Sequence, residues 1–292
     1  TIRDLVSRLG ETEKAGFDRI EPVPPAEREE DILHIFPHER SRPYSMRAIL
    51  KRLVDNSEMT EYKAGYGKTI ICAYARIDGW SVGIVANNRE VVRTKKGEMQ
   101  FGGVIYSDSA DKAARFIMNC NQKRIPLVFL HDVTGFMVGT RSEHGGIIKD
   151  GAKMVNAVSN STVPKFSIVM GNSYGAGNYA MCGKAYDPRL IVAWPTAKIA
   201  VMGGEQAAKV LMQIQLSAMK SKGEAPDEAK QEALFATIKE RYDNQTTPWY
   251  AAARLWVDAI IHPLETRSVI SRGIEAANNA PVGQFNVGVF QT

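Results

Sequence analysis

Two unbroken apolar runs constrain this 292-residue chain more than any other feature. "IPLVFLH" (125–131) and "VPKFSIVM" (163–170) lack the alternation of a strand with one wet face. Each therefore reads as a strand covered on both sides. The segment between them, "GGIIKDGAKMVNAVSNS", carries helical spacing. The segment before them, "SADKAARFIMNCNQKR", is amphipathic, with Ser109 or Asp108 near its cap. Strand, loop and helix in repeated order predict an α/β layered domain with sites at strand ends. Each apolar run is followed by a glycine-bearing loop, "GFMVG" at 135–139 and "GNSYGAGNYAMCG" at 171–183. After consecutive parallel strands, such loops are expected side by side at one sheet edge, where open α/β sheets take ligands.

The flanks are less uniform. Residues 1–42 read as a helix followed by the connector "EPVPPAEREED", whose Pro22, Pro24 and Pro25 resist regular structure. "SMRAILKRLVDNSEM" (45–59) predicts a helix with Met46, Ile49, Leu50, Leu53 and Val54 on one face and Ser45 as its cap. "KTIICAYARIDGWSVGIVANN" predicts two strands about the turn Asp78–Gly79. Residues 89–104 read as a loop. "RLIVAW" and "AKIAVM" are further short strands, and "GGEQAAKVLMQIQLSAM" a helix. Residues 217–245 suit an exposed helical pair broken at "KGEAPD", and the remainder returns to core-like composition and ends in a helix.

With 44% hydrophobic and 24% charged residues, the chain can bury a large core. The net charge of +5 suits an anionic partner such as a nucleotide or coenzyme A. Interleaving of acids and bases argues against nucleic-acid binding. Cys72, Cys120 and Cys182 show no metal-ligand spacing and read as reduced thiols of a cytosol-like compartment. No window approaches the roughly 20 apolar residues that a membrane helix needs. Beginning at Thr1, with a charged first segment, the sequence shows no secretory signal and reads as a fragment or processed piece.

In "YGAG", Gly175, Ala176 and Gly177 sit where a helix should open, so their N–H groups lie at the positive end of its dipole. That leaves three readings open: a phosphate cradle, an oxyanion hole, or a turn of small residues packed tightly. Phe136 and Met137 form either a flat apolar wall or a loop anchor. Side-chain chemistry is sparse. Ser173 and Cys182 lack an obvious base, and "GNSYG" is not the nucleophile elbow. His131 and His144 flank the first loop, while Asp132, Glu143 and Glu205 stand as single carboxylates. His34 and His38 are separated by Pro37, which disfavours a metal-binding helix. "AMKS" (218–221) departs from the biotin attachment sequence, leaving Lys220 as a solvated lysine. Donors without a side-chain base suggest that the base comes from a cofactor.

Three long segments carry a family resemblance: "IPLVFLHDVTGFMVGTRSEHGGIIKDGAKMVNAV", "VPKFSIVMGNSYGAGNYAMCGKAYDPRLIVAWPTAKIAVMGGEQAAKVL" and "YAAARLWVDAIIHPLETR". They resemble the carboxyltransferase (β) subunit of biotin-dependent acyl-CoA carboxylases, most nearly the methylcrotonyl-CoA carboxylase branch. "PYSMRAILKRLVDNSEMTEYKAGYG" and "GIVANN" extend the match, which covers about residues 43–270. The resemblance implies a crotonase-like (ClpP/crotonase) spiral of ββα units with peripheral helices. It implies that residues 43–292 are a C-terminal-type acyl-CoA carboxyltransferase domain. In that family acyl-CoA is held mainly by an N-terminal-type domain of one protomer, and biotin by the C-terminal-type domain of another.

Carried over residue by residue, the resemblance implies that Gly175, Ala176 and Gly177 give N–H groups to the ureido oxygen of biotin. Phe136, Met137, Val138 and Gly139 would line the biotin channel, and Tyr179 would reach the acyl group. Carboxybiotin, carried on a separate domain or subunit, would give up its carboxyl group to an acyl-CoA enolate, with methylcrotonyl-CoA or a propionyl-CoA-like thioester as substrate. An N-terminal-type carboxyltransferase partner, biotin carrier and biotin carboxylase components, and an oligomer are implied, in the cytoplasm or, for a eukaryotic protein, the mitochondrial matrix. The segment 89–110 is longer and more basic than the family pattern. Three rival readings stand beside this one: a glutaconyl-CoA-type decarboxylase chain, a non-catalytic assembly partner of the same fold, and a crotonase-like hydratase or hydrolase, which the missing acid–base carboxylates disfavour.

Overall fold

The computed structural model describes residues 2–10, 12–37, 39, 42–221 and 228–286, apart from the side chains of Lys220, Glu228 and Lys230. The expected break at 222–227, His38 and the Lys220 side chain lie outside the described residues. In chain order the elements begin with α1 (Ile2–Ser7), α2 (Ile32–Ile35), α3 (Met46–Leu50), β1 (Met59–Glu61), β2 (Ile70–Ile77) and β3 (Trp80–Asn87). Next come β4 (Val92–Arg93), β5 (Met99–Gln100), β6 (Val104–Ile105), α4 (Ser107–Gln122), β7 (Leu127–Val133) and β8 (Gly135–Phe136). The middle of the chain forms α5 (Thr140–His144), α6 (Ile147–Ser159), β9 (Lys165–Tyr174), α7 (Gly175–Ala180), β10 (Leu190–Ala193) and β11 (Lys198–Ala200). The last are α8 (Gly204–Ser221), α9 (Glu228–Gln245), α10 (Pro248–Ala252), β12 (Ala259–Ile260) and α11 (Thr266–Ala277).

The two apolar runs are β7 and β9, adjacent parallel strands at the centre of the main sheet. The order is β1-β2-β3-β7-β9-β10-β12, with β11 joined to the far end of β9. All seven residues of β7 are buried, because both faces are covered. On one face α4, α6 and α7 seal a core with Phe116, Phe129 and Met154. On the other, Phe17, Ile32, Phe36, Met46 and Leu50 join Trp194 and, from α11, Ile270 and Ile274. The Trp194 indole N–H, fully buried, donates to the Thr266 hydroxyl at 2.9 Å, which meets the cost of burying a polar group.

The hairpin β2–β3 forms about Asp78 (φ +53°) and Gly79 (φ +79°), the left-handed pair of a type I′ turn. The buried Asp55 carboxylate accepts both turn N–H groups at 2.8 Å and is paired with Arg267 at 2.6 Å. A Cβ at position 79 would collide with the Ile20 carbonyl oxygen. Gly79→Val is therefore expected to destabilise the fold by about 2 kcal/mol or more, read as a lower urea midpoint at unchanged slope.

Three local expectations need correction. The helix foreseen over 45–59 ends at Leu50, and Ser45 makes no side-chain cap bond, although Leu53 and Val54 are buried as expected. The strand at 163–170 runs on through "GNSY" to Tyr174, because β11 pairs with that extension. The helix foreseen from Ser109 begins two residues earlier, after Tyr106; Ser109 does lie near the cap as expected and accepts the Tyr106 N–H at 2.9 Å, closing a capping box. Among the described residues no helix is long and apolar enough to cross a membrane.

Candidate functional site

β7 and β9 both run toward the same sheet edge, and their following loops touch. A Cβ built on Gly177 would lie 2.7 Å from Val133 Cγ2 and 3.2 Å from the Gly135 Cα. Only a bare backbone fits between the two loops. Gly175 has φ +50°, and a Cβ there would come within 2.8 Å of the Val201 carbonyl oxygen, so this position too demands glycine. The turn opens α7, and no side chain caps it at Tyr174. Helix geometry leaves the first N–H groups without intrahelical partners and adds partial positive charge. Ala176 is exposed at this end, Gly177 is buried, and Tyr179 is half exposed, with its ring 6.0 Å from Tyr186.

The other loop is held in place by pairing β8 with β6 and by the Met137 N–H donating to Ile105 O at 2.8 Å. This order was not foreseen in a segment read as loop. The Phe136 ring lies on α6, where a Cβ on Gly151 would meet it at 2.9 Å. Phe136, Met137 and Val138 wall an apolar cavity of about 310 Å³, closed by Ile147, Ile148 and Val155. Gly139, at φ +106°, turns the chain into α5, and its N–H points to Glu143 Oε1 at 3.4 Å. Val138 is 75% exposed at the mouth.

Behind the glycine turn lies a polar group that sequence reasoning missed. The Ser173 hydroxyl contacts His131 Nδ1 at 2.9 Å and accepts from Asn178 Nδ2 at 2.8 Å. A register shift between His131 and Val133 brings the strand ends into this alignment. Ser173 and His131 are fully buried, so the pair faces no substrate and braces the turn from below. The only advance signal was that both residues stand at the ends of neighbouring apolar runs. Burial pushes the His131 imidazole down to about 3, against a smaller upward effect of a hydrogen bond to the Met181 backbone. Between its ordinary value of 6.5 and that lower value, the unfolded chain binds a proton here that the folded chain refuses. The stability is complete above pH 6.5 and falls as pH drops, by up to about 1.4 kcal/mol per pH unit from this group. His131→Gln is expected to flatten that slope in urea unfolding across about pH 4 to 6.

The carboxylates read as solitary are partnered. Asp132 accepts from the Tyr44 hydroxyl at 3.0 Å and the Asn172 N–H at 2.9 Å, with Arg89 Nε at 3.4 Å. Glu205 pairs with Lys209 at 2.6 Å on an exposed helix face. All three cysteines are buried and free, and burial pushes Cys72 up to about 12 and Cys182 up to about 11. Neither is a thiolate nucleophile at neutral pH. His144 is exposed and lies on α5, outside the turn. Among the described residues no group of three or more His, Cys, Asp or Glu gathers as a metal site. What the edge offers is backbone donors beside an apolar cavity.

A family model described as the carboxyl transferase domain matches residues 1–289. The chain is 44% identical over 292 residues to the biotin-dependent 3-methylcrotonyl-coenzyme A carboxylase beta1 subunit of Mycobacterium tuberculosis, covering 99% of this chain and 52% of that protein. It is also 44% identical to the mitochondrial methylcrotonoyl-CoA carboxylase beta chain of Arabidopsis thaliana, covering 89% of this chain and 42% of the relative. The beta subunit of P. aeruginosa geranyl-CoA carboxylase superposes with TM-score 0.80 at 36% identity, over all of this chain and 53% of that one. The transcarboxylase 12S hexamer, with methylmalonyl-coenzyme A bound, superposes with TM-score 0.79 at 36% identity, over 100% of this chain and 53% of that one. The chain spans about half the length of the curated relatives it matches. The fold is the crotonase-like fold of these subunits, as the sequence resemblance implied. By the extent of the match, the chain belongs to the carboxyl transferase domain family.

Proposed function

We propose that this chain supplies the biotin-binding half of an acyl-CoA carboxyltransferase, with residues 43–292 as its C-terminal-type domain. Gly175, Ala176 and Gly177 offer N–H groups to the ureido oxygen of biotin, and Phe136, Met137, Val138 and Gly139 line its channel. One observation carries this reading. The glycine turn packs directly on the start of the loop whose Phe136, Met137 and Val138 line the apolar cavity, so close that a Cβ on Gly177 would meet Val133 and Gly135, which suits a flat ring pressed against backbone. Biotin supplies, when bound, the nitrogen that carries the carboxyl group and the base that no side chain here provides.

The chain's own contribution is electrostatic. N–H groups at the start of α7 favour negative charge on an oxygen facing them, helped by the helix dipole. The apolar wall of Phe136, Met137 and Ile147 keeps water from competing for those donors. Tyr179, half exposed beside the turn, reaches toward the acyl group. The acyl-CoA lies on an N-terminal-type domain, carried by a partner subunit or by further sequence of the same protein. Biotin carrier and biotin carboxylase components complete the oligomer, in the cytoplasm or the mitochondrial matrix. The names of the relatives favour methylcrotonyl-CoA or a propionyl-CoA-like thioester as substrate.

The test is to combine the chain with its N-terminal-type partner, carboxylated biotin and a panel of acyl-CoAs, and to follow transfer in both directions. Transfer to at least one thioester is expected. No transfer to any of them, with both parts folded, would exclude the enzyme reading in favour of an assembly role. Ala176→Trp, at an exposed position, should block transfer without disturbing the circular dichroism spectrum.

A further inference from the structure

Helix α7 opens at the glycine turn, yet little apolar packing holds it. It is six residues long, no side chain caps it at Tyr174, and only Gly177 and Ala180 are buried. So short a helix has little order of its own, and its direction is set by whatever ties it down. One tie is the bare-backbone contact of Gly177 with Val133 and Gly135. The other is polar. Asn178 Nδ2 donates to Ser173 Oγ at 2.8 Å, a bond between residues five positions apart. It clasps the turn at 174–177 between the end of β9 and the body of α7. Asn178 is itself seated on Gly183, whose N–H donates to its backbone carbonyl at 2.8 Å and where a Cβ would collide with its Oδ1. The direction of the next bond follows from what each group can do. Among the described residues the other hydrogen-bond partner of Ser173 Oγ is His131 Nδ1, at 2.9 Å. A buried hydroxyl must place its one hydrogen, so Ser173 donates to Nδ1 and the neutral imidazole carries its proton on Nε2. The ring also meets the backbone of Met181, the residue that closes α7. Ser173 and His131 are fully buried, so no water competes for these bonds. This serine–histidine pair is a support and not a nucleophile with its base.

We propose that Ser173 is a positioning residue: by holding Asn178 against the fixed imidazole of β7, it sets the direction in which Gly175, Ala176 and Gly177 present their N–H groups. The inference rests on the proposed function, in which those groups face a developing negative charge. Such donors work only where they point at that charge from about 2.7–3.1 Å. Without the hydroxyl, Asn178 Nδ2 loses its acceptor and α7 can pivot on Gly177. The donors then lose their aim, while the cavity walled by Phe136 and Met137 stays intact.

The experiment compares Ser173→Ala, Asn178→Asp and the double variant, each assembled with the N-terminal-type partner. Asn178→Asp keeps the size of the side chain but removes the N–H that Ser173 accepts, and it serves if the alanine variant does not fold. Transfer kinetics are read together with hydrogen exchange of residues 174–181 by mass spectrometry. The expected result is a kcat about tenfold lower in each single variant, with the KM for acyl-CoA within about twofold of the unaltered enzyme. The double variant should be no slower than the slower single, because both changes break one tie. Faster exchange should be confined to residues 174–181. A kcat within about twofold of the unaltered enzyme in either folded variant overturns the proposal, and so do losses that multiply in the double variant. Exchange that rises equally in the β2–β3 hairpin also overturns it, since Ser173 would then be a general stabiliser. If the unaltered enzyme transfers nothing, the proposed function fails, and the exchange measurement alone decides whether the hydroxyl fixes the turn.

Discussion

Gly175→Ala is expected to lower carboxyl transfer at least about a hundredfold, the loss typical of one misplaced oxyanion donor. The residue sits at φ +50°, where a side chain costs about 1–2 kcal/mol, and its Cβ would stand 2.8 Å from the Val201 carbonyl oxygen. Backbone on backbone cannot yield by rotating a side chain. The turn itself must move, and its N–H groups re-aim with it. The fall should appear in kcat as well as kcat/KM, because the donors act on charge that develops during reaction. A variant with wild-type kcat and an unshifted fold would place the donors elsewhere.

Asp132→Ala is expected to cost about 3–5 kcal/mol of unfolding free energy, the usual penalty for removing one partner of a buried pair. The Asp132 carboxylate is 2% exposed and ties three separate parts of the chain together: Tyr44, Arg89 and the Asn172 backbone. Its removal takes one carboxylate partner from the Arg89 guanidinium, which is itself nearly buried. Gly171 supplies a second reading of the same site, because a Cβ there would run into this carboxylate. Gly171→Ala should therefore be damaging alone and much milder in the Asp132→Ala background. That coupling is measurable by a double-mutant cycle in urea.

The centre of the sheet was legible because β7 and β9 are apolar on both faces, a pattern that does not depend on knowing the partner. The hairpin was legible because Asp78–Gly79 meets a backbone requirement locally. Failures came where a distant residue decided the outcome. The helix over 45–59 stops early, and the Leu53 carbonyl receives Arg267 from 214 positions away, while Asn56 and Ser57 adopt left-handed backbone. Its apolar spacing still marks buried residues, so the pattern reported burial correctly and conformation wrongly. The extension of β9 through "GNSY" depended on pairing with β11. At the candidate site, the glycine turn and the loop 135–139 could be placed together from strand order alone. The His131–Ser173–Asn178 brace could not, because it depends on a shift of register that no composition encodes.

The connector before the sheet is stitched to the last helix. Ala15 N–H donates to Asn278 O at 2.9 Å, Phe17 N–H to Asn278 Oδ1 at 3.0 Å, and the Thr12 hydroxyl to Asn279 O at 2.8 Å. Ser81 N–H reaches back to Asp18 O at 3.0 Å, so the same short segment also grips the hairpin. Segments more than 250 positions apart in the chain thus open together or not at all. In deuterated solvent the amides of Ala15, Phe17 and Ser81 should exchange at a common rate set by one cooperative opening, and a cut between Gly16 and Asp18 should release the protection of α11 as well.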